Sequence, residues 1–251
     1  MRLWQTKRHW ETWARVDPFW AVLTSPEKSG NRWRDEEFFA TGRATVEADL
    51  ACVKEVCPFL GDHRALDFGC GVGRLTQALA SHFREVVGID ISKEMVRLAV
   101  KLNLHGDRVK FVQNSGADLS LFSSDQFDFV YSLITLQHMD RAYARKYIAE
   151  FVRVAAAGGV IFFQMPAIKP PLSRSQPLTF GRRLWHLVNR SFPMKPVMEM
   201  HALLREEVVG VLQAAGAEVL KVVPYGAAGD IASFGYLAVK RRPLSASASL
   251  S

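Results

Sequence analysis

From residue 64 onward the chain alternates short apolar runs with segments of helical period, and this alternation constrains its fold more than any other feature. Arg64–Phe68, Val86–Asp90, Val109–Gln113, Phe127–Ser132 and Gly158–Met165 read as strands. Helices are expected over Arg74–His82, from a Ser92 cap through Leu102, and over Arg141–Ala155. The Ser92 helix carries Met95, Leu98, Ala99 and Leu102 on one face. A further helix over Ala202–Ala215 ends at a left-handed Gly216, and Val219–Pro224 and Ser233–Lys240 close the pattern as strands. Strands separated by helices pair in parallel, so the expected fold is α/β, a doubly wound sheet covered by helices. The last two strands, joined without a helix, place one antiparallel strand beside the edge.

Ahead of this unit, residues 1–60 read as a helical cap rich in aromatics, among them Trp4, Trp10, Trp13, Phe19, Trp20, Trp33, Phe38 and Phe39. Asn31 is the expected N-cap of a helix reaching about Cys57, with Phe39, Val46, Leu50 and Val53 near helical spacing; Pro58 and Gly61-Asp62 stop it. Trp13, Phe19 and Trp20 are expected to close over the binding site and exclude water. The expected organisation is a cap over 1–60, one domain over 61–242, and a Ser/Ala-rich disordered tail over 243–251. Apolar residues at 49% and charged residues at 23% are ordinary for a globular chain of 251 residues. Three scattered cysteines suit neither a disulfide framework nor a zinc site. With no leader-like start and no apolar run of membrane-spanning length, the chain reads as cytoplasmic.

The net charge is +7, and residues 166–200 hold six basic side chains against one acidic, Glu199. Five of the seven surplus charges therefore fall in one segment, not along a stripe that would track DNA or RNA. That segment reads as an insertion in a connection that is normally 2–6 residues long. Its middle, Thr179–Phe192, forms a helix with Phe180, Leu184, Leu187 and Val188 on one side. It is expected to serve as a lid helix with solvated arginines, to receive an acidic or phosphorylated substrate, or to touch an anionic membrane surface weakly.

The chemistry concentrates at the turn after the first strand, Asp67-Phe68-Gly69-Cys70-Gly71-Val72-Gly73. Its glycines admit a ligand close to the backbone, and the helix that follows offers free N–H groups. The spacing is G-x-G-x-G, with Arg74 where a dinucleotide fingerprint needs its last glycine, and no phosphate-binding P-loop exists. Asp67 would repel a pyrophosphate but suits a cationic amine. Asp90, 21 residues after Gly69 at the end of the second strand, suits both hydroxyls of a ribose.

A ribose without a pyrophosphate, together with an amine, describes S-adenosylmethionine, and at this point the sequence resembles the class I S-adenosylmethionine-dependent methyltransferases. The resemblance rests on Leu66–Gly73, on Gly88-Ile89-Asp90-Ile91-Ser92, on Asn114-Ser115-Gly116-Ala117-Asp118-Leu119, and on Phe127–Ser132 running to Leu136-Gln137-His138. The segment Phe234–Lys240 resembles that family's last strand. It implies a Rossmann-like seven-stranded sheet and cofactor contacts from Asp67, Gly69, Cys70, Gly71, Gly73, Asp90, Ile91 and Leu133. It also implies that the loop of Ala117 and Asp118 reads adenine; many relatives carry an acidic residue where Ser115 stands. His138, on the rim beside the methyl donor, is the candidate proton acceptor, with packing or loop-fixing as its alternative; His201 is a weaker substrate-side candidate. Cys70 reads as a compact packed thiol. No metal-ligand spacing occurs among the histidines.

The expected activity is methyl transfer to an oxygen, nitrogen or carbon of a small-molecule metabolite. One alternative is an RNA methyltransferase, although the chain reads Ser132-Leu133-Ile134-Thr135 where base-amine methyltransferases carry an Asn/Asp-Pro-Pro-Tyr/Phe motif. The other is a protein that binds S-adenosylmethionine without catalysis.

Overall fold

A computed structural model describes residues 3–167, 196–228 and 231–242. The expected helix over 179–192 and the tail over 243–251 lie outside the described residues, as does most of the 166–200 insertion.

The elements in chain order are α1 (Leu3–Val16), α2 (Pro18–Val22), α3 (Asp35–Val56), β1 (Arg64–Phe68), α4 (Arg74–Leu79), β2 (Glu85–Asp90), α5 (Lys93–Lys101) and β3 (Val109–Gln113). There follow β4 (Phe127–Ser132), α6 (Arg141–Val154), β5 (Ala155–Ala167), α7 (Arg205–Ala214), β6 (Ala217–Ala228) and β7 (Ile231–Lys240). The strands form one seven-stranded sheet in the order β3-β2-β1-β4-β5-β7-β6, with β7 antiparallel to both neighbours and the other pairs parallel. The register pairs Asp67 with Gly88 on one side and with Tyr131 on the other, so the carboxyl ends of β1, β2 and β4 finish level. Chain order reverses at β1, and the crevice there is where an open α/β sheet takes its ligand.

Each sheet face buries an apolar layer. On one side Tyr147, Ile148, Phe151 and Val152 of α6 and Leu212 of α7 cover Leu66, Val130 and Phe163. On the other, Val46, Leu50 and Val53 of α3 and Leu75 and Leu79 of α4 cover Ala65, Phe129 and Phe162. A third cluster joins Ala14, Ala21, Phe38, Val72 and Met95, with Trp10, Trp13, Phe19 and Leu98 against it. This cluster seats the N-terminal helices over the carboxyl ends of the strands.

Several boundaries differ from expectation for local reasons. α3 begins after Arg34, and Asn31 adopts φ 58° instead of capping. The Asp17 carboxylate collects the N–H groups of Gly30 (2.6 Å) and Asn31 (3.0 Å), which holds this stretch in a loop. Asp35, Glu36 and Glu37 then complement the helix dipole in place of a side-chain cap. Phe38, one residue from the expected Phe39, is the ring fully buried here. β5 starts directly at the end of α6, and its register against β4 shifts between Phe127 and Phe129. α7 begins three residues late because Leu203 donates its N–H to the Pro166 carbonyl (3.1 Å) and bridges to Ala167. The helices at Ser92 and Gly216 end as expected: Ser92 Oγ accepts from Met95 N (3.1 Å), and Gly216 has φ 94°. No helix among the described residues is long and apolar enough to cross a membrane.

Candidate functional site

The turn after β1 is stitched to the end of β2. Gly69 and Cys70 donate their N–H groups to the Ile89 carbonyl (2.8 and 2.9 Å), and Gly73 donates to Cys70 (2.8 Å). Gly71 N–H donates to Asp90 Oδ2 (3.0 Å), while Ser92 N–H donates to Asp90 Oδ1 (2.8 Å). Gly71, with φ 53°, also sits under α2: a Cβ there would lie 2.5 Å from Val22 Cγ2. α4 is only six residues long, so its dipole is a smaller asset than the sequence implied.

Above this turn lies a cavity of about 80 Å³ that opens to solvent. Its floor is Phe68, Gly69, Cys70, Gly71, Ile89 and Asp90. Ile91, Asn114 and Tyr147 form one end, and Leu133, Ile134, Thr135 and His138 form another wall. Leu3, Thr6 and Trp10 of α1 and Ala21 and Val22 of α2 roof it. The expected Gly69, Cys70, Gly71, Asp90, Ile91, Leu133 and His138 are thus brought together.

Four expected residues are not on the wall. Asp67 is only 1% exposed behind the turn; Thr76 Oγ1 donates to its Oδ2 (2.6 Å), and its Oδ1 has no partner among the described residues. Gly73 faces Phe111 and Ala99 beneath the turn. Ala117 and Asp118 lie off the cavity, because Asp118 is drawn outward to Lys146 (3.1 Å) and to the Ser120 N–H (3.2 Å). Asn114 takes their place: its Oδ1 accepts from Gly116 N–H (3.1 Å) and its Nδ2 donates to the Asp118 carbonyl (2.9 Å). Tyr147 completes that end by donating to the Gly116 carbonyl (2.7 Å). Asn114 opens the 114–119 segment that carries the family resemblance, whereas nothing in the local sequence marks Tyr147, which arrives from α6.

The roof also departs from expectation. Trp13 and Phe19 pack against the third cluster, with Trp20 5.4 Å from Trp13 and Phe19 stacked 4.3 Å from Phe38. Trp10 covers the cavity instead and meets His138 edge-on at 5.2 Å. The positions of Trp4, Trp10 and Trp13 in the sequence do not tell which turn of α1 reaches over the sheet.

His138 is buried, and both ring nitrogens are engaged. The Glu199 carbonyl can only accept, so Nδ1 carries the proton and donates to it (2.8 Å). Nε2 therefore accepts from the Gln137 amide (3.1 Å). His201 lies off the wall, paired with Glu199 (3.0 Å), and its N–H donates to the Gln137 carbonyl (2.7 Å). His138 thus ties the loop after β4 to the segment at 199–201, the loop-fixing role. Ile134 has φ 56°, a strained conformation for a β-branched residue, held by the Gln164 Oε1 acceptor on its N–H (2.8 Å).

Electrostatics follow burial. Desolvation pushes both Asp67 and Asp90 up to about 6, opposed by the Thr76 hydroxyl and Arg74 at Asp67 and by the Ser92 and Gly71 N–H groups at Asp90. Glu11 on α1 adds to the rise at Asp90. Burial drives the Cys70 thiol well above its ordinary value, which fits a packed, unreactive group. Burial also lowers the His138 pKa, leaving the ring neutral at pH 7.

Residues 65–159 match the family model described as "Methyltransferase domain". Among curated proteins, the chain is 30% identical over 134 residues to an uncharacterized methyltransferase, YcgJ, of Bacillus subtilis, covering 53% of this chain and 50% of that one. It is 34% identical over 106 residues to a ubiquinone biosynthesis O-methyltransferase of Methylococcus capsulatus, covering 41% and 44%. The chain spans about half the length of the curated relatives it matches. Among solved structures, magnesium protoporphyrin IX methyltransferase (ChlM) from Synechocystis PCC 6803 with bound SAH superposes with TM-score 0.61 at 19% identity, covering 93% of this chain and 97% of that one. The [4+2]-cyclase SpnF superposes with TM-score 0.63 at 17% identity, covering 95% and 97%. Residues 65–159 therefore match a methyltransferase domain, and the chain shares its fold with solved methyltransferases that bind S-adenosylmethionine or S-adenosylhomocysteine.

Proposed function

We propose that this protein transfers a methyl group from S-adenosylmethionine to an oxygen, nitrogen or carbon of a small-molecule acceptor. The observation that carries this reading is the cavity itself: a glycine turn and the Asp90 carboxylate form its floor, and the N-terminal helices close it from above. The residues present fit the cofactor. Asp90 keeps lone pairs for a ribose beyond its two backbone contacts, and Asp67 beside the turn holds a buried oxygen without a partner among the described residues. Asp90 would accept the ribose hydroxyls; Ile91, Leu133, Asn114 and Tyr147 would surround the purine; Gly69–Gly71 would let the aminoacyl end lie on the backbone. Asp67 would act on the amine through the turn, from behind it.

Bound there, the cofactor supplies an electrophilic methyl group on a sulfonium. Trp10, Val22 and Leu3 exclude water from that end, and Leu133, Thr135 and His138 form the wall along which an acceptor aligns. Alignment alone can lower such a barrier by about 7–11 kcal/mol, so no base is required. With its Nε2 lone pair committed to Gln137, His138 holds the wall in place rather than removing a proton.

The same fold serves a [4+2]-cyclase as well as a methyltransferase, so the reaction has to be tested directly. A metabolite extract supplied with methyl-labelled S-adenosylmethionine should yield a labelled small molecule with the wild type and not with Asp90→Ala. Equal transfer by both would remove Asp90 from the site. Cofactor binding with no labelled product from any extract would favour a binding protein, and label in RNA would replace the acceptor class.

A further inference from the structure

β4 leaves the sheet where the cavity wall begins. Its pairing with β5 runs as far as Ser132 opposite Phe163, and the next three residues, Leu133, Ile134 and Thr135, line the cavity. Ile134 turns the chain there at φ 56°, a conformation that sterics disfavour for a β-branched residue, so it persists only where the surroundings enforce it.

The enforcing group is the side chain of Gln164, one residue beyond Phe163 on β5. Its Oε1 accepts the Ile134 N–H (2.8 Å). A backbone N–H can only donate, so the amide oxygen has to face Ile134 and Nε2 the other way. Nε2 there donates to Ser233 Oγ of β7 (2.6 Å) and, at 3.5 Å, to Gln137 Oε1. The same direction continues onward, from Gln137 to His138 and from His138 to the Glu199 carbonyl. Gln164 is only 8% exposed and does not line the cavity. A buried amide is costly unless its hydrogen bonds are made, and here one of them goes to the single strained residue of the wall. On the other side the wall has no slack: a Cβ on Gly69 would lie 2.2 Å from the Thr135 hydroxyl, so Thr135 already rests against the glycine turn. A shift at Ile134 is therefore passed to its neighbours Leu133 and Thr135.

We propose that Gln164 is the positioning residue of the acceptor wall, fixing from outside the cavity the line along which an acceptor meets the transferable methyl group. This rests on the methyltransferase reading. Gln164 touches neither cofactor nor acceptor and reaches the reaction only through Ile134.

Gln164→Met keeps the length of the side chain and removes both hydrogen bonds, whereas Gln164→Glu keeps an oxygen for the Ile134 N–H. Each is compared with wild type in two measurements: label transfer from saturating methyl-labelled S-adenosylmethionine to a metabolite extract, and calorimetry with S-adenosylhomocysteine. Misplacing an aligned group by about 1 Å from a distance costs up to about a hundredfold. Gln164→Met should therefore lower the transfer rate about ten- to a hundredfold while S-adenosylhomocysteine affinity stays within about twofold. Gln164→Glu should recover most of that rate. The proposal is overturned if Gln164→Met transfers as fast as wild type, if affinity falls as far as the rate, or if Gln164→Glu is no better than Gln164→Met. Should Gln164→Met not fold, Ser233→Ala carries the comparison. It frees the amide to rotate, so the rate should fall with affinity unchanged, and an unchanged rate sinks the proposal. A wild type that binds S-adenosylhomocysteine yet labels nothing refutes the methyltransferase reading separately. Amide exchange followed by NMR then decides Gln164: Ile134 should exchange about tenfold faster or more in Gln164→Met while Val130 of β4 stays protected, and equal exchange shows that Gln164 does not hold the wall.

Discussion

Asp90 does two jobs with one side chain, holding the glycine turn through Gly71 and Ser92 while facing the cavity. Asp90→Ala should weaken S-adenosylhomocysteine binding by more than about tenfold in calorimetry, because it removes ribose acceptors and releases the turn. Ribose hydroxyls donate best to the ionised carboxylate. Affinity should therefore be level near neutral pH and fall as pH drops through about 6, where Asp90 takes up a proton. Stability runs the other way. Asp67 and Asp90 have folded pKa values raised from 3.8 to about 6, so the folded state holds these protons more tightly than the unfolded chain. Their contribution is fully present below the unfolded value and is lost as pH rises through about 6. In thermal melts of the ligand-free protein, Asp67→Asn should accordingly gain relative to wild type between pH 4 and pH 7. His138→Gln should reduce turnover by less than about tenfold with an unchanged pH profile, whereas loss of a general base costs 10²–10⁴-fold.

At the scale of elements, α1 is clasped over the site by Glu11. Its carboxylate accepts from the first N–H groups of α5, Lys93 (2.6 Å) and Glu94 (3.2 Å), capping a helix from another part of the chain. His9 Nδ1 also accepts the Val197 N–H (3.3 Å). Glu11→Ala should cost about 0.5–2 kcal/mol, the range of a lost cap, and speed amide exchange in α1 while β1 and β4 stay protected. β1, β3 and β4 were legible to the residue, since short apolar runs bounded by turn residues admit few other readings. The helix starts at Asp35 and Arg205 were not, because loops held by Asp17 and by the Pro166 carbonyl decide them. The lid was legible as aromatic composition only; that Trp10 and not Trp13, Phe19 or Trp20 roofs the cavity follows from how α1 docks on α5 and His138.

For the molecule as a whole, the sheet order places β1 beside both β2 and β4, and the cavity forms where the chain turns away in two directions. The core on the α6 face backs directly onto it: Phe151 is fully buried, 5.0 Å from the Phe68 ring that forms part of the floor. Phe151→Ala should cost about 3–5 kcal/mol in urea unfolding, and it should also weaken cofactor binding by loosening Phe68. Elements and local chemistry were set by the sequence alone: the alternation that makes a parallel sheet, a glycine turn with carboxylates at Asp67 and Asp90, and the caps at Ser92 and Gly216. These depend on neighbours a few residues apart. Only the tertiary structure decided that Asp67 stands behind the turn, that Asn114 and Tyr147 replace Asp118 at the cavity end, and that Arg74 is buried against Thr41 and Thr45 of α3. Each of those turns on which side chains from distant segments occupy the same small volume, and close packing, unlike periodicity, leaves no trace in local sequence.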